Sequence, residues 1–134
     1  GDALRAEDLD GAVAGQDAVI YALGRSQHSQ ATTLFSDSTR LLIEAMRRHG
    51  VRRLVAITGI GAGDSKGHGG WLYDWVIYPL FTRKTYEDKD RQEALIRASE
   101  LDWVIVRPAS FTDGPRGGKL RAETKLDGVT MAKI

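Results

Sequence analysis

Three short apolar runs interrupt an otherwise polar chain: Ala18-Val19-Ile20-Tyr21-Ala22-Leu23, Arg53-Leu54-Val55-Ala56-Ile57-Thr58 and Trp103-Val104-Ile105-Val106. Each is short, rich in β-branched residues and not alternating. That pattern predicts strands covered on both faces, and hence a parallel sheet with helices on either side. The stretches between them carry helical periodicity. In Leu4 to Ala14, Leu9 and Val13 lie one turn apart and Gly15 sits where a C-terminal cap belongs. In Ser36 to His49, Leu41, Leu42, Ala45 and Met46 repeat at helical spacing, and Gly50 follows as a cap. Trp71 to Tyr78 reads as a short aromatic helix ended by Pro79. Arg83 to Ser99 reads as a long polar helix whose buried stripe should contain Tyr86, Ala94, Leu95 and Ala98. A turn at Asp113-Gly114-Pro115 and an extended segment near Lys119 to Ala122 close the pattern. The order α-β-α-β-α-α-β is the rhythm of a doubly wound α/β fold. Three strands are few for such a sheet. The strand Ala18 to Leu23 is therefore expected at an unpaired edge, with part of the sheet outside this chain.

Composition narrows the functional classes. At 134 residues the chain is one domain or less. Its 19 Lys plus Arg balance 18 Asp plus Glu, which argues against a dedicated nucleic-acid binder. The absence of cysteine excludes disulfides, thiolate metal sites and a cysteine nucleophile, and fits a reducing, cytoplasmic setting. No apolar run reaches the ~18 residues needed to cross a bilayer, so no membrane partner is expected. Neither methionine is residue 1, and the chain reads as a piece of a longer gene product.

The Gly-rich stretch Gly59-Ile60-Gly61-Ala62-Gly63-Asp64-Ser65-Lys66-Gly67 invites a phosphate-loop reading and fails in detail. A dinucleotide fingerprint starting at Gly59 or Gly61 meets Asp64 or Lys66 where Gly or Ala is required, and Ser65-Lys66-Gly67 reverses the Walker order. A loop at the C-terminal end of a strand is the better reading, and that end is where open parallel sheets bind ligands. Three strand ends therefore matter most: Leu23-Gly24, Thr58-Gly59 and Arg107-Pro108-Ala109-Ser110. Gly24 either admits a ligand close to the backbone or serves a turn. Thr58 either offers a hydroxyl or is an ordinary strand residue.

Other candidates are weaker. Tyr86 and Lys89 share one helix face, and a Lys near a Tyr suits hydride-transfer chemistry. Spacing alone favours a core Tyr beside a solvated Lys. Glu87, Asp88, Asp90 and Glu93, interleaved with Lys89 and Arg91, read as a solvated charged face rather than a metal site. His28, His49 and His68 lack metal-ligand spacing. Arg47, Arg48 and His49 complement the dipole of their helix, with Arg52 and Arg53 beyond; phosphate contact is the alternative. Trp71, Tyr73, Trp75 and Tyr78 suit packing better than a flat-ligand pocket.

In order and spacing, the chain resembles the middle of an atypical short-chain dehydrogenase/reductase. The group is the NAD(P)H-binding one that includes NmrA-like proteins and biliverdin/flavin reductases. Gly1-Asp2-Ala3-Leu4 resembles the turn after the third strand of that family. Asp17 to Gly24 resembles its fourth strand, and Val51 to Thr58 its fifth. Leu101 to Pro108, with Thr112-Asp113-Gly114-Pro115, resembles its sixth strand and the turn beyond. The resemblance implies a partial Rossmann-type doubly wound parallel sheet, strands four to six of the full fold, lacking the N-terminal Gly-rich half and the C-terminal region. It implies an NAD(P) cofactor, with NADP favoured over NAD. Asp2 and Ala3 would sit near adenine. Ala22, Leu23 and Gly24 would pass the adenosine ribose and pyrophosphate. Thr58 would stand near the nicotinamide. Lys89, followed by Glu93 as in the family, would hold the nicotinamide ribose. Pro108, Ala109 and Ser110 would flank the ring. The family's catalytic Tyr lies four before the Lys; here that position is Thr85, and Tyr86 is one step on, about 100° around a helix. Gly59 stands where related reductases have a second Ser.

Thr58, Lys89 and Tyr86 are accordingly the catalytic candidates in an NAD(P)-dependent oxidoreductase acting on a small carbonyl, flavin or similar planar substrate. The partners implied are the dinucleotide and a small molecule, with homo-oligomerisation allowed and no nucleic acid. Two other classes stay open: a non-catalytic NAD(P)-binding redox sensor, and a structural α/β module.

Overall fold

The computed structural model describes residues 1–24, 31–60, 62, 83–108, 122 and 124. The expected helix at 71–78, the turn at 113–115 and most of the Gly-rich stretch and the 119–122 segment lie outside the described residues. The elements in chain order are α1 (Ala6–Val13), β1 (Ala18–Tyr21), α2 (Leu34–Arg48), β2 (Arg53–Ile57), α3 (Arg83–Ala98) and β3 (Asp102–Val106). Each expected strand is present, trimmed by up to two residues or extended by one.

The strands form one parallel sheet in the order β1-β2-β3. Tyr21 is level with Ala56, and Ala56 with Ile105, so all three strands run in step. Among the described strands β1 has one neighbour only, the open edge that the sequence led us to expect. At the start of β2, Arg53 is paired in register with Asp102, and their side chains form an exposed ion pair at 2.8 Å.

The core lies on one face of this sheet. Val13 of α1, Leu42, Ala45 and Met46 of α2 and Ile96 of α3 pack together against Tyr21, Leu54 and Ala56. Val19, Trp103 and Ile105 join them from the same side. The alternate positions point away, and Ile20 is 73% exposed, Val104 44% and Val106 42%. Among the described residues this second face of the sheet is left exposed. The described helices all gather into one cluster on one side, and side chains along a strand alternate between faces.

Glycines set two helix ends. Gly15 and Gly50 both adopt positive φ, +73° and +68°, in the left-handed conformation that closes a helix cheaply only with glycine. Arg48 and His49, at the end of α2, reach Asp10 of α1 at 2.8 and 3.1 Å. Those contacts hold the Asp10 carboxyl below its usual range, Arg48 acting most strongly and His49 next.

The start of α2 is closed from a distance. Thr33 at its N-cap makes no side-chain cap. Instead the Phe35 N–H donates to Oδ2 of Asp88 at 2.8 Å, and the Ser36 hydroxyl donates to Oδ1 at 2.5 Å. Asp88 belongs to α3 and is fully buried. The carboxylate satisfies one orphan N–H of the first turn, together with the Ser36 hydroxyl, and opposes the positive end of the helix dipole.

This contact explains a correction. The buried positions of α3 are Thr85, Asp88, Gln92, Glu93 and Ile96, whereas Ala94 and Ala98 are exposed and Tyr86 and Leu95 only partly buried. The stripe facing α2 and the sheet is mostly polar. Each charge on it has a partner on another element, which is what allows it to be buried.

Candidate functional site

The parallel register brings the C-terminal ends of the strands to one edge of the sheet. The ladder continues past β2 and β3: Thr58 N–H donates to Val106 O at 2.9 Å, and Ile60 N–H to Pro108 O at 3.1 Å. Gly24 follows β1 at the same edge. It does not have positive φ, and a Cβ added there would meet nothing within 4 Å. Neither backbone conformation nor packing requires a glycine at that position, so the space beside it is open.

α3 lies against these ends with Tyr86, Lys89 and Glu93 spaced three and four apart, hence on one face of the helix. Thr58 Oγ1 donates to Glu93 Oε1 at 2.8 Å. Arg107, just after β3, grips the same carboxylate with both arms, Nε to Oε1 at 3.0 Å and a terminal nitrogen to Oε2 at 2.6 Å. Glu93 is 2% exposed and Thr58 7%. One buried carboxylate thereby ties β2, β3 and α3 together in the fork geometry that makes arginine pairs strong.

Lys89 donates to the Thr58 carbonyl oxygen at 3.0 Å, and its ammonium sits 4.4 Å from the centre of the Phe35 ring. Burial pushes its pKa below the usual lysine range, opposed by the fields of Glu93 and Asp88. The lysine is not the solvated partner that spacing alone suggested. It is a partly desolvated cation held at the mouth of β2, with a π face beneath it.

Tyr86 also reaches this edge. A Cβ on Gly59 would lie 3.1 Å from the Tyr86 hydroxyl, so the missing side chain makes room for the phenol. The position four before Lys89 is Thr85, which is 1% exposed and packed within the protein.

The expected site residues thus fall into two groups. Thr58, Lys89 and Tyr86 come together at the ends of β2 and α3. Ala3, Ala22 and Leu23 line an open groove of about 450 Å³ between α1 and β1. That groove lies along β1 and not at the Thr58–Lys89 cluster. Asp2 is exposed and its Oδ1 accepts the Leu4 N–H at 2.9 Å. Pro108 is partly buried beside Ile60; Ala109 and Ser110 lie outside the described residues. The solvated-face reading of Asp88 and Glu93 is corrected: both are buried and hydrogen-bonded. Arg107 stood in a named strand end, but its grip on Glu93 was not anticipated. The available signal was a charged residue directly ending an apolar strand, together with a Glu one turn beyond the Lys. Among the described residues no group of three or more His, Asp or Glu is arranged to hold a metal, and no helix is long and apolar enough to cross a membrane.

Comparison with known proteins adds three findings. A family profile described as NAD(P)H-binding matches residues 1–134. In sequence, the chain is 24% identical over 124 residues to the uncharacterised sugar epimerase YhfK of Bacillus subtilis, covering 90% of this chain and 53% of that protein. In structure, it is similar to ChuY, an anaerobilin reductase from Escherichia coli O157:H7. The TM-score is 0.65 at 24% identity, over 85% of this chain and 51% of ChuY. It is also similar to a short-chain dehydrogenase/reductase from Veillonella parvula in complex with NADP. There the TM-score is 0.69 at 16% identity, over 87% of this chain and 48% of the other. These likenesses carry the fold, a Rossmann-like α/β sheet of which this chain is part. The chain spans about half the length of the curated relatives it matches.

Proposed function

We propose, since the chain belongs to the NAD(P)H-binding family, that it builds the nicotinamide-side half of the dinucleotide crevice of an oxidoreductase. It would supply the fourth to sixth strands of the sheet. When bound, the cofactor supplies hydride chemistry toward a small carbonyl, flavin or similar planar substrate. The observation that carries this reading is Lys89, a partly desolvated ammonium fixed at the strand-end crevice by Thr58 O and the Phe35 ring. An ammonium has three N–H donors. One goes to Thr58, and the others serve the hydroxyls of the nicotinamide ribose. Holding the lysine in place beforehand removes much of the side-chain ordering cost of binding.

The other residues follow in position. Open space at Gly24 lets the pyrophosphate-bearing part of the ligand approach the backbone, and Ala22 and Leu23 flank it. Asp2 and Ala3 lie toward the adenine side. Pro108, just after β3, flanks the nicotinamide. Tyr86 presents its hydroxyl beside Gly59, where it can pass a proton to or from substrate. NADP is the favoured cofactor, in line with the Veillonella relative that holds it. The test is titration of the complete gene product with NADPH and NADH, followed by turnover on flavin, quinone and bilin acceptors. Micromolar binding with turnover on one acceptor supports the reading; absence of dinucleotide binding refutes it.

One observation favours a second reading. The position four before Lys89 holds a buried threonine in place of a phenol. Tight NADPH binding without turnover on any acceptor would identify a redox sensor that uses the same crevice.

A further inference from the structure

Thr58 carries a hydroxyl whose single proton is already committed. That proton goes to Glu93 Oε1 at 2.8 Å. Glu93 cannot return one, because both of its oxygens accept from Arg107, at 3.0 and 2.6 Å, and Arg97 stands at 3.9 Å from Oε2. A carboxylate so placed is an acceptor only. Among the described residues no donor reaches Thr58 Oγ1; the Lys89 ammonium goes to the backbone oxygen of Thr58 instead. Oγ1 therefore offers lone pairs and no proton. To polarise a substrate carbonyl a hydroxyl must donate, and this one has nothing to donate.

We propose that Glu93 is a positioning residue that fixes Thr58 as a hydrogen-bond acceptor for the amino group of the nicotinamide carboxamide. This rests on the cofactor reading above and changes the work expected of the strand-end hydroxyl. Thr58 orients the ring and does not activate substrate. It also makes the site selective for a ligand that presents N–H at this point.

The test compares two ligands on the complete gene product: NADP and its 3-acetylpyridine analogue, in which a methyl replaces the carboxamide amino group and the carbonyl stays. Dissociation constants are measured by calorimetry for the wild type, Thr58→Val, Thr58→Ser and Glu93→Gln. The wild type should bind the analogue about tenfold more weakly than NADP, the scale of one unpaired buried group. Thr58→Val should bring the two to within about twofold, and Thr58→Ser should keep the preference. In Glu93→Gln the new amide N–H donates to Oγ1 and turns the hydroxyl proton toward the ligand, so the preference should narrow or reverse. Should Glu93→Gln fail to fold, the two Thr58 variants decide alone, since a general loss of packing weakens both ligands equally. A preference unaltered in Thr58→Val overturns the acceptor assignment. A preference unaltered in a folded Glu93→Gln overturns the orienting role of Glu93. Failure of the wild type to bind either dinucleotide overturns the cofactor reading instead.

Discussion

Replacing Asp88 tests the polar joint between α2 and α3. In Asp88→Ala two buried donors, the Phe35 N–H and the Ser36 hydroxyl, lose their acceptor. Leaving a buried donor unpaired costs about 1–3 kcal/mol. Ser36 can fall back on the Thr33 carbonyl, already 3.3 Å away, so its loss sits at the low end. Phe35 has no such second acceptor among the described residues. Removing the negative charge from the helix start adds about 0.5–1 kcal/mol. Arg91, which also touches Asp88 at 3.2 Å, is half-exposed and returns to water at little cost. The sum is about 3 kcal/mol for Asp88→Ala. Asp88→Asn keeps one acceptor oxygen for Phe35 and should cost about 1–1.5 kcal/mol. Urea unfolding of the gene product, read by circular dichroism, gives the totals. Hydrogen exchange at the Phe35 amide gives the local value, and 3 kcal/mol corresponds to about a hundredfold loss of protection. If Asp88→Ala stays within about 0.5 kcal/mol of the wild type and Phe35 protection is unchanged, the capping account is wrong.

Three further outcomes follow from the same geometry. The lowered pKa of Lys89 means the folded state binds this proton less well than the unfolded chain does; stability should therefore rise with pH from the lowered value up to about 10.5, and Lys89→Met should abolish that rise in a pH series of urea midpoints while weakening NADPH binding at least about tenfold. Asp10 has the opposite sign: its contribution is present above pH 3.8 and lost as pH falls through its lowered folded value, so Asp10→Asn should flatten the acid limb of the stability curve. Gly59→Ala places a methyl 3.1 Å from the Tyr86 hydroxyl at a position without positive φ; the urea midpoint should shift little, while the Tyr86 ring resonances move and turnover falls.

Local pattern carried much of the fold. Periodicity located α1, α2 and α3 and all three strands, because Leu42, Ala45 and Met46, or Leu54 and Ala56, report burial through their own chemistry. It failed on the buried stripe of α3, where Thr85, Asp88, Gln92 and Glu93 face inward beside Ile96. Their burial depends on partners that no local window contains: Asp88 closes a turn 53 residues earlier, and Glu93 meets Thr58 across 35 residues. A buried charge and a solvated one look alike until the partner is known. At the candidate site, strand-end logic pointed to Thr58, and spacing with family resemblance pointed to Lys89 and Tyr86, which the fold brings near one another. The Phe35 ring beneath Lys89 and the Arg107 fork on Glu93 are products of the tertiary fold.

The Asp88 cap also has a consequence for biosynthesis. A ribosome makes the first turn of α2 long before it makes the side chain that secures it. At the usual pace of about 5–20 residues per second, the 53-residue separation amounts to roughly 3–10 s. During that interval the nascent helix must rely on its own weak terminus, open to fraying and to chaperones. Only the arrival of α3 locks it, so the lysine and the ring beneath it are assembled in the same late event.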